Sequence, residues 1–265
     1  MAVNISPEYL KAQKNNPRLW YGRFRIKIAP ITKKIRQFLR DTTPEPKSTP
    51  AAECHITNNL ETQASHFQEH GWAFVENIFD QSFYKELIKY WPKRYWLEPP
   101  TKITKNYDRG MAWSYGEPVP ESFKYHPTVK KMLDYLRTEK FQNRIKNFIG
   151  KDKDFVSYSF AMHKSYPGTQ VVPHRDGIYN NDLAQNVINV FFFVNGNGGK
   201  NAGGLTLTND AMGDDVIFEP TNLKNSCLIY DSKAPFYHGF KPMRLGRYRW
   251  SIGAQFLEKD FVEKQ

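Results

Sequence analysis

The sequence predicts a mainly β protein with flanking helices (α+β), built on a jelly-roll sandwich or barrel. Three observations carry that expectation. From residue 155 onward, short apolar runs recur with turn residues between them: 155–165, 171–178, 186–194, 203–208, 215–219, 226–231, 236–240 and 247–256. Eight strands in about 100 residues, with no helix between them, suit a closed or double-layered β architecture. The preceding stretch, 53–150, shows helical spacing instead. Apolar residues at 40% and aromatics at 15% supply enough material for a packed core.

Taken in order, residues 1–52 read as a basic N-terminal arm and linker. In "RFRIKI" (23–28) base and apolar residue alternate, a strand-like or irregular pattern. "PITKKIRQFLRD" places Ile31, Ile35, Phe38 and Leu39 at helical spacing. "DTTPEPKSTPAA" (41–52), rich in Pro, Thr and Ser, reads as a linker. "LETQASHFQEHGWAFVENIF" predicts a short helix, a stop at Gly71 and a strand, and "QSFYKELIKYW" a second helix. Residues 92–125 are rich in aromatics and proline, lack a clear period, and are expected as long loops. A helix over 127–150, ended by Gly150, completes the helical part. The main domain is therefore 53–265, with a helical portion 53–150 and a β core 155–257.

Composition narrows the function classes. Cys54 and Cys227 are too few for a disulfide framework and are not spaced as a zinc site, so a reducing cytoplasm is expected. No apolar run approaches about 18 residues, so no membrane span is expected. The net charge is +11, and residues 1–48 hold eleven Lys/Arg against three Asp/Glu. The remaining body is close to neutral, which makes nucleic acid an improbable partner because no long phosphate track is available. Residues 17–40 interleave the bases with Leu19, Trp20, Tyr21, Phe24, Ile31, Ile35, Phe38 and Leu39. Two readings of that mixture stay open. One is peripheral association with the inner face of an anionic membrane. The other is an arm packed on the domain with its bases in water.

The chemistry starts at "VVPHRDGIY" (171–179). His174 and Asp176 are two apart, so on an extended chain they share a face. Alone, such a pair is more often two polar side chains facing water than a ligand set. His238 follows 62 residues after Asp176, at the start of the last predicted hairpin. Two imidazoles and one carboxylate suit one face of a non-haem Fe(II), with positions left open. Arg247 and Arg249 come next on one strand face, and either guanidinium would suit a distal carboxylate.

Around these residues, "SYPGTQVVPHRD", "INVFFFVN" followed by "GGLTLT", "CLIYDSKAPFYHGF" and "RWSIGAQF" resemble the linked motifs of the 2-oxoglutarate- and Fe(II)-dependent oxygenases, especially their prolyl-hydroxylase-like branch. Upstream, "HGWAFVENIFDQSFYKELIKY" is similar to the entry that many members carry, so the likeness spans roughly 66–257. It implies a double-stranded β-helix (jelly roll, cupin-like). It also implies Fe(II) on His174, Asp176 and His238, with 2-oxoglutarate and O2 as co-substrates. The far carboxylate of 2-oxoglutarate would rest on Arg249 or Arg247, with Ser251 and Tyr166 nearby. Where relatives carry a second tyrosine this chain has Phe193, and Asn189 is the candidate replacement. The implied activity is hydroxylation of an unactivated C–H in a small molecule, a sugar or glycolipid, or a peptide side chain. Arg109, Trp113 and Tyr115, with Arg175, Tyr179 and His163, are candidate substrate contacts; each is equally readable as packing.

Three rival readings compete with this one. "HFQEH" (His66, Glu69, His70) matches the H-x-x-E-H of inverted zinc peptidases. Gly71 ends that helix at once and no third ligand stands out, so a solvated helix end is expected. A nucleic-acid dealkylating oxygenase would use the basic arm. A non-enzymatic jelly-roll binding module would be favoured by a missing ligand, and all three ligands are present in the sequence.

Overall fold

The computed structural model of the chain describes residues 6–44, 53–119, 126–175 and 187–263. Two antiparallel sheets form its body. The larger has six strands. In spatial order they are β1 (Trp72–Glu76), β8 (Ser226–Asp231), β5 (Val187–Gly196), β10 (Arg249–Glu258), β3 (Phe155–Ser165) and β2 (Asp108–Ser114). The smaller runs β4 (Val171–His174), β9 (Tyr237–Phe240), β6 (Thr206–Thr208) and β7 (Val216–Phe218). Each of the eight strands expected from residue 155 onward forms.

The period of two explains the layering. Along β5, Val190, Phe192 and Val194 point one way, and along β10 so do Ile252, Ala254 and Phe256. All six join one buried cluster with Phe83 and Leu87 of α5 (Gln81–Lys89), Met132 of α6 (Pro127–Leu136), and Phe141 and Phe148 of α7 (Glu139–Ile149). The alternate residue Phe193 packs with Leu228 and Tyr230 of the same sheet, and with Val171, Leu207 and Phe240 of the smaller one. Helices thus cover one face of the large sheet, and the small sheet packs on the other. That second interface contains the cavity described below.

Three local expectations need correction. The predicted single helix over 127–150 is two helices. Thr138, extended at ψ 143°, breaks the helix and caps α7 by accepting the Phe141 amide at 3.3 Å. Residues 92–125 are not all loop, because β2 forms the edge of the large sheet. Its period was hidden by a bulge between Gly110 and Ala112, where Met111 takes a φ of 48°. "RFRIKI" is helical rather than strand-like. The arm folds as α1 (Pro7–Gln13), α2 (Leu19–Lys27) and α3 (Ala29–Thr42). The buried side of α2 is Leu19, Gly22 and Arg25, spaced by three but not uniformly apolar, so the pattern escaped a search for apolar periodicity.

The arm docks on the domain through buried polar contacts. Asp108 at the start of β2 is fully buried and pairs with Arg25, with Arg36 at 3.1 Å and with Arg94 at 3.1 Å. Tyr9 is also buried, and its hydroxyl donates to Gln170 Oε1 at 3.2 Å. Most of the linker stretch, 45–52, lies outside the described residues. The chain closes in a short helix, α8 (Lys259–Val262). No helix among the described residues is long and apolar enough to cross a membrane.

Candidate active site

A cavity of about 490 Å³ opens between the sheets, and its lining includes His174, His238, Arg249, His163, Asn189 and Arg109. β4 and β9 pair antiparallel with His174 directly opposite His238. Both imidazoles are buried, and their ring centroids are 4.3 Å apart. His174 Nδ1 lies 2.8 Å from the Val172 carbonyl oxygen. A carbonyl only accepts, so Nδ1 carries a proton, and in the neutral ring Nε2 presents the lone pair. Asp176, the third expected ligand, lies outside the described residues, as does Tyr179. Among the described residues no group of three or more ligating side chains gathers, and that includes the His66–Glu69–His70 turn. There, in α4 (Ala64–His70), the His66 and His70 ring centroids lie 4.4 Å apart with planes tilted by 52°, and His66 meets Trp72 edge-on.

Arg249 opens β10, held between Ser165 of β3 and Gly196 of β5. It is almost wholly buried, with its guanidinium 4.4 Å from the Phe240 ring and 5.0 Å from that of Phe191. It donates to the Gly203 carbonyl and to Ser165 Oγ at 3.2 Å, while Nε has no protein partner. Burial pushes its pKa down to about 9, which leaves it charged at neutral pH. Among the described residues no carboxylate pairs with this desolvated guanidinium, an arrangement chemically suited to receiving an anion. Arg247 is placed differently. It lies off the cavity and donates to the Gly198 carbonyl at 2.9 Å.

The other candidates separate as follows. Tyr166 does not line the cavity; the guanidinium groups of Arg25 and Arg94 approach its ring centroid at 4.8 and 4.6 Å. Tyr107 lines it instead, its ring centroid 4.4 Å from that of His163. Sequence reasoning missed Tyr107, although it precedes Arg109 by two and so shares its strand face. Ser251 is buried on Arg249's face of β10, opposite His163 in register, with its hydroxyl unpartnered. Asn189 does line the cavity, donating to Ser232 Oγ at 2.7 Å and accepting from Gln255 Nε2 at 3.0 Å. Gln255 is six residues beyond Arg249 on β10, about 20 Å along the strand. Asn189 therefore cannot replace a hydroxyl beside Arg249.

His163 is buried and stacks on Phe191 at 5.9 Å, with Nδ1 unpartnered. Burial, together with Arg249, Arg109 and Lys105, holds its pKa well below the usual imidazole range, so it is neutral. Arg109 faces it across the β2–β3 ladder. Trp113 and Tyr115 do not reach the cavity. The bulge before Ala112 shifts the alternation, so Trp113 joins the helix-side core and donates from Nε1 to the Glu117 carbonyl at 2.9 Å. Tyr115 is exposed beside it. Arg175 is exposed and off the cavity, donating to the Pro235 carbonyl with its guanidinium 4.5 Å from the Tyr237 ring.

Two packed antiparallel sheets, flanked by helices and enclosing this cavity, have the fold of the prolyl-hydroxylase-like 2-oxoglutarate/Fe(II) oxygenases. Among solved structures, the chain is similar to a prolyl-4-hydroxylase from Pseudomonas putida, at TM-score 0.55 and 16% identity over 76% of this chain and 99% of that one. It is also similar to a Trichoplax adhaerens prolyl hydroxylase, solved with a peptide fragment of the hypoxia-inducible factor oxygen degradation domain. That match has TM-score 0.54 and 14% identity, over 78% and 91% of the two chains. A third is a non-haem α-ketoglutarate-dependent epimerase from nogalamycin biosynthesis, at 0.51 and 10% over 75% and 82%. No family model and no curated protein matches the chain in sequence.

Proposed function

We propose that the chain is a non-haem Fe(II)- and 2-oxoglutarate-dependent dioxygenase. Its reaction in this reading is hydroxylation of an unactivated C–H in a small molecule, a sugar or glycolipid, or a peptide side chain. One observation carries the proposal: two register-paired imidazoles and a buried guanidinium with an unpartnered Nε share a cavity. The strand order is read as a double-stranded β-helix, whose mouth holds such a site.

Fe(II) would sit on His174, Asp176 and His238, and Arg249 would receive the far carboxylate of 2-oxoglutarate. Bound there with O2, these groups supply the oxidising chemistry, in which 2-oxoglutarate leaves as succinate and CO2. The chain's own work is placement. The Val172 carbonyl fixes the His174 tautomer and ring orientation. Arg249 exchanges an uncompensated buried charge for a charge-assisted pair, and the Phe240 and Phe191 faces keep water from it. Tyr107 is the hydroxyl closest in kind to the one that Phe193 lacks. His163, held neutral, adds no second cation beside that carboxylate.

Hydroxylation is the outcome we favour, although a structure of similar fold is an epimerase, so product analysis decides it. The test is succinate release by the purified chain supplied with Fe(II) and 2-oxoglutarate. His174→Ala and His238→Ala are expected to abolish it. A His238→Ala protein that retained iron and wild-type succinate output would remove the reading.

A further inference from the structure

We propose that the outer face of the N-terminal helices is a docking surface for an anionic lipid bilayer. Trp20, Phe24, Ile31, Ile35, Phe38 and Leu39 all remain exposed, Trp20 at 67%, Phe38 at 66% and Ile31 at 64%. Their spacing runs four, seven, four, three and one through α2 and α3, which only Ile28 separates, so they form one stripe. Trp20 and Phe24 stack at 5.8 Å with planes 7° apart, a pre-ordered aromatic wedge. The inner face of these helices is already occupied, because Leu19, Gly22, Arg25, Ala29 and Arg36 are buried against the domain. The stripe is therefore left over after the arm has docked. Beside it, an apolar groove of about 450 Å³ between Leu10, Leu19, Ile26 and Ile103 carries Arg23 and Lys27 on its lining.

Charge selects the occupant. The bases of the arm divide into two sets. Arg25 and Arg36 pair with Asp108 and Arg40 with Glu98, so none of these three is available outward. Arg18, Arg23, Lys27, Lys33 and Lys34 stay exposed along the same helices as the apolar stripe. A second copy of this chain would bring a like-charged face against it, whereas a bilayer with anionic headgroups neutralises the bases and takes up the apolar side chains. The helices would lie in the interface rather than cross it, consistent with their length.

The test uses the full chain and two sets of vesicles, phosphatidylcholine alone and phosphatidylcholine mixed with phosphatidylglycerol. Wild type is expected to pellet with the mixed vesicles, with a blue shift of tryptophan emission. It should pellet at least about tenfold less with phosphatidylcholine alone, since each engaged base contributes about fivefold. Trp20→Ser/Phe24→Ser/Phe38→Ser, all surface changes, is expected to keep the wild-type melting curve and lose pelleting. Lys33→Glu/Lys34→Glu should lose the preference for phosphatidylglycerol. Wild type remaining in the supernatant with both vesicle types would overturn the proposal. So would triple-serine protein that pellets like wild type. A lipid-free wild-type dimer that the triple-serine change converts to monomer would assign the face to self-association and equally overturn it. Succinate release, measured without vesicles, reports separately on the oxygenase reading.

Discussion

Arg249 has lost its water without gaining a carboxylate among the described residues, and that imbalance makes it testable. Arg249→Ala is expected to raise the apparent KM for 2-oxoglutarate by roughly 10- to 100-fold, the equivalent of about 1.5–3 kcal/mol for a charge-assisted contact. Arg247→Ala should leave it unchanged, and parallel 2-oxoglutarate titrations check both. His126 offers a pH test away from the site. Burial lowers its pKa from 6.5 to about 4. Below pH 6.5 the unfolded chain takes up a proton that the folded chain does not hold until about pH 4. Stability is therefore complete above 6.5 and lost across that window, by about 3 kcal/mol at most. Replacing His126 with Phe should flatten that part of the stability–pH curve, read as urea midpoints. At this scale the sequence was legible where spacing decides. His174 and His238 meet because both end up on paired strands. The choice between Arg247 and Arg249 was not legible, because it depends on where the last strand begins. Tyr107 was hidden because the strand that follows it was not foreseen.

Elements were legible wherever one face is uniformly apolar. β5 and β10 announce themselves in "INVFFFVN" and "RWSIGAQF", and the same alternation sends Phe192 to the helices and Phe193 to the other sheet. β2 and α2 failed that test for different reasons. The bulge in β2 breaks its period and moves Trp113 off the face that Arg109 uses. α2 buries a glycine and an arginine on its packed side, which no hydropathy pattern reports. Gly22 is there because the helix must approach closely: a Cβ would meet Asn106 Nδ2 and the Gly168 carbonyl, and Asn106 itself donates to that carbonyl at 2.8 Å. Gly22→Ala improves helix propensity by up to about 1 kcal/mol. The overpacking costs about 1–3 kcal/mol, so a net loss of stability is expected. Urea unfolding checks it, and an increased midpoint would show that the arm is loosely held.

For the molecule as a whole, arm and domain are one body joined through Asp108. Its carboxylate is fully buried and serves three guanidinium groups, from α2, from α3 and from Arg94. Asp108→Asn strands those cations and is expected to lower stability by about 3–5 kcal/mol. Limited proteolysis should then cut within residues 19–42, which are expected to resist it in the wild type. The sequence showed the basic arm and the domain as separate compositional blocks. It did not show that they interlock, because the joining residues are charged and far apart in the chain. The strand that carries Asp108 has a second audience. Arg109, its neighbour, faces the cavity, as does Tyr107 just before the strand. Whatever stiffens those two from inside pulls on the same backbone that the arm grips from outside. Thermodynamic reciprocity then applies: if filling the cavity tightens the arm by some factor, holding the arm tightens the cavity's ligand by that same factor. Amide exchange over residues 19–42, measured with and without 2-oxoglutarate and a divalent metal, should slow on addition. Asp108→Asn should uncouple the two ends, leaving the arm's exchange indifferent to what the cavity holds.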